Sequence, residues 1–286
     1  MRALELRVGA KAAKRLENEG WHVDLIDGLI GASGGPKWLI LGRLDRVVIS
    51  ELLSGRSRPL DAIGSSIGSW RHAAMAQPDP IQAYDRFEQA YLTQNYTSAK
   101  PTVPEITEVA LWLMRTLLGE KGERHVAQHS WLRSHIVTAR GRGFNGRQPG
   151  KRLIAGMGAA ALGNAVSRGT LPASFQRVVF ASSSAEPLTP LFDGFGTRYI
   201  DLADNNVFSA LMASGAIPYV FEGVYDIEGA GKGAFWDGGI IDYHFDLTRL
   251  PEDQVWLYPH FNSRTTVGWF DKFLPCLLYT SPSPRD

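Results

Sequence analysis

A serine at position 66 stands in a pattern that suits nucleophilic catalysis. The stretch DAIGSSIGSW places Ser66 between Gly64 and Gly68, directly after a short apolar run and directly before a predicted helix. Glycines two residues to either side leave room for the crowded backbone of a sharp strand-to-helix turn, which presents a serine hydroxyl to a substrate carbonyl. The pattern predicts a nucleophile elbow and serine-based acyl transfer, although an ordinary turn with two glycines can have the same residue pattern.

A second segment, LIGASGGPKW, predicts a set of free backbone amides. It follows the apolar run DLIDGLI, which predicts a buried strand, and it precedes apolar residues at helical spacing. Gly34 and Gly35 therefore lie in a strand-to-helix loop, with Pro36 in the first helical turn. The N–H groups of such a loop, at the positive end of a helix dipole, suit an oxyanion or a phosphate equally well.

A nucleotide-binding loop is an alternative for this segment, since GASGGPK nearly fits the GxxxxGK[ST] pattern. Against it, Pro36 removes an N–H from the phosphate cradle and Trp38 replaces the hydroxyl residue that holds magnesium. Lys37 is a cation in the first turn of a helix, where it opposes the dipole. It is either a solvated side chain or a residue that steadies the loop or meets an anionic group of the substrate.

A candidate general base lies near the other end of the chain. In GKGAFWDGGIIDYHF, Asp237 is followed at once by Gly238 and Gly239. The run lies between two apolar stretches, so the carboxylate is predicted at a strand end, although aspartate before two glycines is also a common turn. Just upstream, residues 205–221 predict an apolar helix that starts at an asparagine and is broken by a glycine and a proline.

The motifs GASGGPKW, GSSIGS, ASGAIPYVF and DGG, in that order across residues 25–245, resemble those of the patatin-like phospholipases. The resemblance implies an α/β fold, a three-layer α/β/α arrangement with a mostly parallel central sheet, and hydrolysis of acyl esters of lipids. It implies a catalytic dyad of Ser66 and Asp237 with no histidine between them. The oxyanion hole is then implied at Ser33, Gly34 and Gly35.

Two departures from the family's pattern bear on this assignment. The family's loop usually has three adjacent glycines followed by an arginine and a glycine, whereas here Ser33 precedes two glycines and Lys37 stands near the arginine's place. After DGG the family often has an asparagine and a proline, whereas this chain has Asp242, Tyr243 and His244. The first departure leaves open which N–H groups form the hole, and the second leaves open what supports the aspartate.

The residues themselves also predict a mechanism. Ser66 at a helix start is favoured by the helix dipole, and the Ile67 N–H can donate to a tetrahedral oxyanion together with donors from residues 33–35. Asp237 would accept the hydroxyl proton, but an aspartate at its ordinary pKa of about 3.9 is a weak base. We therefore expect a partly buried carboxylate, an acyl-enzyme intermediate and net ester hydrolysis.

Two other functions remain open. His244 and His260 both follow Asp237, so the chain order serine, aspartate, histidine matches a classical Ser-Asp-His esterase. The alternative from another class is a protein that keeps the fold and binds anionic ligands at the glycine loop without turnover.

Further clusters have simpler interpretations. His125 and His129, followed by His135, have the spacing of a metal pair if residues 123–137 are helical, but they lack the glutamate of HExxH. Surface or packing histidines are favoured, and no metal or cofactor is expected. Residues 139–152 carry five cations and no acid, which predicts a solvated surface connection or, alternatively, a loop that meets phospholipid headgroups or nucleic acid.

The middle of the chain predicts successive helices over residues 79–138, the first capped by Asp79. The second, PEITEVALWLMRTLLG, has an apolar face that packs in the core or, alternatively, forms a lid or acyl-chain groove over Ser66. Residues 153–166 are too short to cross a membrane and predict a buried helix. The apolar face of the second helix comprises Val109, Trp112, Leu113, Leu117 and Leu118.

Composition predicts one domain over residues 1–270 and few partner classes. A 286-residue chain with 44% hydrophobic and 21% charged residues can bury one sizeable core. The net charge of +1 gives no global attraction to polyanions, so we expect a lipid or other acyl-ester substrate and no nucleic acid. No apolar leader and no membrane-length run is present, so we expect a cytoplasmic protein with at most transient membrane-surface contact. The oligomeric state stays open.

The last residues, CLLYTSPSPRD at 276–286, break the globular pattern. They look like a translated cloning or sequencing scar, a non-native tail in whose place the natural carboxyl end would be missing. They hold the one cysteine, Cys276, so no internal disulfide is possible, which fits a reducing compartment.

Overall fold

The structure is a computed structural model that describes residues 4–188, 192, 195–245, 250, 253–273 and 279–280. An eight-stranded sheet forms its centre. Its strands are β1 Gly28–Gly31, β2 Leu60–Ser65, β3 Leu132–Gly141, β4 Phe175–Ser182, β5 Arg198–Leu202, β6 Val224–Tyr225, β7 Ala234–Asp237 and β8 Trp256–Leu257. A separate antiparallel pair consists of β9 Arg264–Thr265 and β10 Tyr279–Thr280.

The order of strands across the sheet is β5-β4-β3-β2-β1-β8, with β7 paired to β3 and β6 paired to β7. Neighbours run parallel from β8 through β1 and β2 to β3, and again between β4 and β5. The pairings of β3 with β4 and with β7 are antiparallel. The predicted α/β fold with a mostly parallel central sheet is therefore confirmed.

Helices cover both faces of this sheet. One face packs against α2 to α6 and α8 through a large apolar cluster that includes Ile136 of β3. Because side chains alternate along a strand, the neighbouring Val137 lies in a different cluster on the other face, with Ile30 and Ile63. The α-helices are α1 Ala10–Glu19, α2 Trp38–Val47, α3 Ile67–Met75, α4 Pro80–Thr93, α5 Val103–Leu118, α6 Gly122–Ala127, α7 Lys151–Val166 and α8 Val207–Ser214.

Local caps start two of the helices, and the cap predicted at Asp79 is one of them. The Asp79 side chain accepts the N–H of Gln82 at the start of α4. A capping box between Thr102 and Glu105 starts α5. These contacts satisfy backbone donors that the helix leaves without partners, so neither start depends on distant packing. The face predicted for α5 is buried at Leu113, Leu117 and Leu118, whereas Trp112 is exposed.

The predicted helix over residues 123–137 is wrong beyond its first turns. α6 ends at Ala127, and His135 lies in β3, where its ring bonds the Asp61 carboxylate at 2.8 Å. The Nδ1 atom of His129 accepts the N–H of Leu132 at 2.9 Å and so helps to turn the chain into that strand. Pairing with three neighbouring strands overrides the helical spacing here, and the two histidines have separate structural contacts.

Two surface predictions also need correction. Residues 139–152 are not one loop, because they include the end of β3, a 3-10 turn over Gly143–Gly146 and the start of α7. The helix predicted at 153–166 exists as part of α7, but only one side of it is buried. No helix within the described residues is long and apolar enough to cross a membrane. The tail predicted at 276–286 lies outside the described residues except for Tyr279–Thr280, and the one-domain boundary stays a prediction.

Candidate active site

Ser66 lies at a sharp turn between β2 and α3. Its backbone has φ +55° and ψ −136°, in the left-handed region that a residue with a side chain rarely adopts. Such a conformation costs about 1–3 kcal/mol and persists where surrounding contacts hold it. Here the Ser66 N–H donates to Ser214 Oγ at 2.9 Å, and Ser214 in turn donates to the carbonyl of Val137 at 2.7 Å. The strained turn of a nucleophile elbow is therefore present at the predicted residue.

Close backbone approach explains the two glycines of the elbow. A Cβ atom on Gly68 would lie 2.1 Å from the carbonyl oxygen of Gly31, and one on Gly64 would lie 2.6 Å from the N atom of Ser69. Both distances are shorter than a side chain tolerates, so α3 can begin against β1 and β2 only without these side chains. Gly31 has the same role on β1, where a Cβ atom would lie 2.7 Å from the carbonyl oxygen of Gly68.

The carboxylate of Asp237 reaches the Ser66 hydroxyl. Asp237 ends β7, and Ser66 Oγ donates to its Oδ2 atom at 2.8 Å. Its other oxygen, Oδ1, accepts the Gly239 N–H at 2.6 Å, which fixes the orientation of the carboxylate. A Cβ atom on Gly238 would lie 2.2 Å from the carbonyl oxygen of Val137, so the turn after β7 also requires a glycine. The fold thus brings together two residues that lie 171 positions apart.

Burial changes the acid strength of Asp237. Desolvation raises the pKa of this carboxyl from 3.8 to about 6, while the hydrogen bonds from Ser66 and Gly239 and the positive charge of Lys272 oppose the rise. Burial disfavours a charged carboxylate because water solvates the charge better than the protein does. The expectation of a partly buried carboxylate with improved basicity is met.

Lys272 is a cation at this site that the sequence did not indicate. Its ammonium lies 3.3 Å from the centre of the Tyr243 ring. Burial lowers the pKa of Lys272 to about 8, and the negative charge of Asp237 opposes that change. Lys272 lies in the 3-10 turn Phe270–Phe273, far along the chain from the glycine motifs of Ser66 and Asp237. No local pattern could have revealed it, because only the fold brings that turn to the end of β7.

The glycine loop follows β1 and lies beside the elbow. The Ser33 hydroxyl bonds the carbonyl of Ser65 at 3.0 Å and the Ser65 hydroxyl at 2.7 Å, which ties the loop to the residue before the nucleophile. Within the described part of the chain, the N–H groups of Gly34, Gly35 and Ile67 have no acceptor. Free amides at two helix starts suit a developing negative charge.

Ser33 is the exception among the predicted donors. Its N–H donates to the carbonyl of Tyr243 at 3.2 Å, so this amide is already engaged. The bond forms because the chain after Asp237 returns past the glycine loop, a contact that no local pattern reveals. Ser33 therefore contributes a hydroxyl that holds the loop, and its predicted place as an amide donor is wrong.

Lys37 lies against an aromatic ring. Its ammonium lies 4.8 Å from the centre of the Phe261 ring, a distance at which a cation is attracted to the aromatic face. A Cβ atom on Gly34 would lie 2.7 Å from the same ring, so Phe261 closes over both residues. Among the described residues, Lys37 has no ion pair. The features that still support a phosphate-binding loop are this cation and the free amides.

The two candidate triad histidines have other partners. His244 is buried, and its Nδ1 atom accepts the N–H of Thr266 at 3.0 Å. Burial lowers the pKa of His244 to about 2, so the ring is neutral. His260 Nδ1 accepts the N–H of Asn262 at 3.1 Å. Within the described residues neither histidine hydrogen-bonds Ser66 or Asp237, and the geometry favours the two-residue arrangement over the triad.

An ion pair supports the turn after Asp237, where the family pattern differs. Asp242 accepts two hydrogen bonds from the Arg177 guanidinium, at 2.6 and 2.7 Å, and both side chains are buried. The Asp242 N–H donates to the carbonyl of Gly238 at 2.8 Å, and the Asp242 carbonyl accepts the Ser65 hydroxyl. This pair joins β4, the turn and the elbow.

An apolar cleft of about 270 Å³ lies between α3, α5, α8 and the segment after α8, and neither Ser66 nor Asp237 lines it. Trp70, one turn after Ser66 on α3, forms part of its wall, and Ala216, whose carbonyl accepts the Asp237 N–H, forms another part. The remaining walls come from α5, α8 and the segment that follows α8. Its other apolar lining residues include Leu111, Phe208, Met212, Phe221 and Val224.

The family of this chain follows from these features and from a direct comparison. Within the described residues, no group of three or more histidine, cysteine, aspartate or glutamate side chains could hold a metal ion. No curated protein and no solved structure matched the chain. The family model described as patatin-like phospholipase matches residues 42–244, a range that holds Ser66 and Asp237 and begins after the glycine loop. Since that range is more than two thirds of the chain, the protein belongs to the patatin-like phospholipase family.

Proposed function

We propose that this protein is a serine acyl hydrolase that cleaves carboxyl esters of lipids through Ser66 and Asp237. The observation that carries the proposal is the 2.8 Å hydrogen bond from Ser66 Oγ to a buried carboxylate. A nucleophile within hydrogen-bond reach of an oriented base is the arrangement that covalent catalysis requires. Membership of a lipid acyl hydrolase family supports the same chemistry.

The first half of the reaction forms an acyl-enzyme. Ser66 Oγ attacks the ester carbonyl carbon while its proton passes to Asp237 Oδ2. The tetrahedral intermediate carries a negative oxygen, which the N–H groups of Gly34, Gly35 and Ile67 would stabilise, each donor contributing on the order of 3 kcal/mol. Asp237 then returns the proton to the leaving alkoxide as the bond from the carbonyl carbon to that oxygen breaks.

The second half hydrolyses the acyl-enzyme. Water attacks the same carbonyl carbon, and Asp237 takes one of its protons. The bond to Ser66 Oγ breaks, the proton passes from Asp237 to that oxygen, and a carboxylic acid is released. A carboxyl with a pKa of about 6 suits both transfers, because at neutral pH it is ionised yet more basic than an exposed aspartate.

The apolar cleft supports a lipid substrate. Its walls begin one helical turn from Ser66, and its lining is mostly apolar, which suits an acyl chain better than a polar group. We therefore assign the acyl chain of the substrate to this cleft. Replacing Leu111 on α5 with tryptophan should reduce kcat/KM for long-chain esters and leave acetate esters almost unchanged, whereas Trp112→Leu on the exposed side of the same helix should change neither.

A fluorophosphonate probe provides the direct test, because it phosphonylates only activated serines. The intact protein should be labelled and should hydrolyse p-nitrophenyl esters, and Ser66→Ala should abolish both. Asp237→Asn should slow both by about 10²–10⁴-fold. His244→Ala and His260→Ala should retain both as long as they fold.

The remaining outcomes decide between the alternatives. Loss of labelling in a folded histidine variant, as complete as in Ser66→Ala, would favour the Ser-Asp-His esterase. A folded wild-type protein that neither reacts with the probe nor turns over any ester of the panel would favour the binding protein without turnover.

A further inference from the structure

The outer face of α7 is apolar, and none of the described residues covers it. No charged residue occurs from 153 to 166, and the inward face buries Leu153 and Met157. On the outward face, Ile154, Leu162 and Val166 are 60%, 74% and 87% exposed. A helix that is apolar around its whole circumference is normally covered on every side, so this face is suited to a partner.

Cations are concentrated at one end of the same helix. Arg147 precedes α7, Lys151 and Arg152 form its first turn, and all three are exposed. Within the described residues none of them has a carboxylate within 4 Å. Cations in a first turn oppose the helix dipole, so Lys151 and Arg152 do not stabilise α7. Their charge is available to an external anion.

An exposed aromatic residue lies beside these cations. Phe144, in the turn Gly143–Gly146, is 56% exposed. The turn is well fixed, because Asn145 is buried and its carbonyl accepts the Trp236 ring N–H at 2.8 Å. Phe144 therefore stays at the surface while its neighbour anchors the backbone.

α7 is also firmly attached to the body of the protein. The buried Asn164 donates to the Asp271 carboxylate at 2.6 Å, and a Cβ atom on Gly163 would lie 2.6 Å from Thr170 Oγ1. Asp271 adjoins Lys272, whose ammonium is close enough to affect Asp237. The outer face of α7 is thus joined through Asp271 to the 3-10 turn that carries Lys272.

We propose that this surface, comprising Phe144, Arg147, Lys151, Arg152, Ile154, Leu162 and Val166, docks the protein on an anionic lipid surface. The apolar side chains would enter the boundary between headgroups and acyl chains, and the three cations would contact lipid phosphates. This inference goes beyond the proposed chemistry, because docking needs neither the nucleophile nor its base.

Charge favours a lipid surface over a second copy of the chain. The net charge is only +1, so the cations at α7 form a local feature that a polyanionic plane complements. Each cation near such a surface strengthens binding about fivefold, and the gain weakens with salt. A lipid surface also satisfies the apolar side chains that lie next to the cations.

Vesicle co-sedimentation tests the proposal with the Ser66→Ala variant of the full chain, which cannot degrade the lipid. It should bind equimolar phosphatidylcholine and phosphatidylglycerol vesicles and bind pure phosphatidylcholine more weakly. Arg147→Gln, Lys151→Gln and Arg152→Gln should together weaken the first binding by on the order of 100-fold. Leu162→Gln should weaken it about tenfold.

Matched controls are Lys121→Gln and Ile40→Gln, which alter an exposed cation and a 71% exposed isoleucine away from α7. Both should bind like the parent, and all variants should show the same thermal unfolding. Equal binding of the α7 variants and the parent would overturn the proposal. So would variants that leave vesicle binding intact but convert a dimer to a monomer in gel filtration, since the face would then join two chains. Hydrolysis of soluble esters is measured separately, so failure of the proposed enzyme activity would be distinguishable from failure of docking.

Discussion

At the scale of residues, burial of the Asp237 carboxyl raises its pKa and at the same time lowers the free energy of unfolding. Its pKa is about 6 in the folded protein and 3.8 when exposed. As pH rises from 4 to 6, the unfolded chain loses this proton before the folded one does. The free energy of unfolding therefore decreases over that window, and the decrease is complete above pH 6. The difference between the two pKa values corresponds to on the order of 3 kcal/mol.

The variant Asp237→Asn, which should slow the reaction, should therefore also be more stable than the wild type. The gain should approach 3 kcal/mol above pH 6 and disappear below about pH 4, where both forms are neutral. Thermal unfolding of both proteins across this range measures it. A stability difference that does not change with pH would show that Asp237 is not held at a raised pKa.

The same carboxyl should control the acidic side of the activity profile. The base acts when ionised, so kcat/KM should rise with pH and level off above about 6. Lys272 has a pKa lowered to about 8 and is charged throughout this rise, and its charge favours the ionised form of Asp237. Lys272→Met should therefore move the rise to higher pH.

The measurement is a pH–rate profile with a soluble ester. Lys121→Met, which removes an exposed cation elsewhere, is the control and should keep the wild-type profile. An unchanged profile in Lys272→Met would show that this ammonium does not act on the base.

Single residues differ in how far the sequence reveals them. Ser66 and Asp237 each lie in a glycine motif, and the motif marks the turn that presents the side chain. Lys272 and Ser214 carry no such mark, since each acts through a contact with a distant part of the chain. The engaged amide of Ser33 could not be predicted for the same reason, because its acceptor belongs to Tyr243.

At the scale of elements, the contact between α3 and β1 sets the position of Ser66. A Cβ atom on Gly68 would lie 2.1 Å from a backbone oxygen, which cannot move aside as a flexible side chain could. Gly68→Ala should therefore destabilise the protein by about 3 kcal/mol or more and reduce activity. The midpoint of urea unfolding measures the stability change.

Gly158→Ala is a matched control for that substitution. Gly158 also lies in a helix, α7, but a Cβ atom there meets nothing within 4 Å. The substitution should stabilise the protein by about 0.5–1 kcal/mol through helix propensity alone. Equal effects of the two substitutions would contradict the close approach of α3 to β1.

Elements with local signals were predictable, and elements that depend on pairing were not. α4 and α5 begin at side-chain caps within one turn of the start. β3 lies where histidine spacing indicated a helix, because its backbone pairs with β2, β4 and β7. The exposed side of α7 was not predictable either, because an apolar sequence does not indicate which face of its helix the rest of the fold covers.

At the scale of the whole molecule, the candidate site depends on contacts between distant parts of the chain. Ser66 follows β2, Asp237 ends β7, and the free amides of Gly34 and Gly35 follow β1. The buried pair of Arg177 and Asp242 connects β4 to the turn that orients the base. Because this pair is shielded from water, removing either partner leaves the charge of the other buried with fewer compensating contacts.

Arg177→Met should therefore destabilise the protein by about 3–5 kcal/mol, whereas the double variant Arg177→Met/Asp242→Leu should lose less than the sum of its single changes. Denaturant unfolding of the four proteins in this cycle measures the coupling. Asp85→Ala, which breaks an exposed ion pair with Arg46 at 2.7 Å, should cost less than about 1 kcal/mol. If Arg177→Met cost no more than Asp85→Ala, the buried pair would not hold the turn. If the prediction holds, the loss of activity with a soluble ester should follow the loss of stability across the four proteins, since the pair acts on Asp237 through the backbone between them.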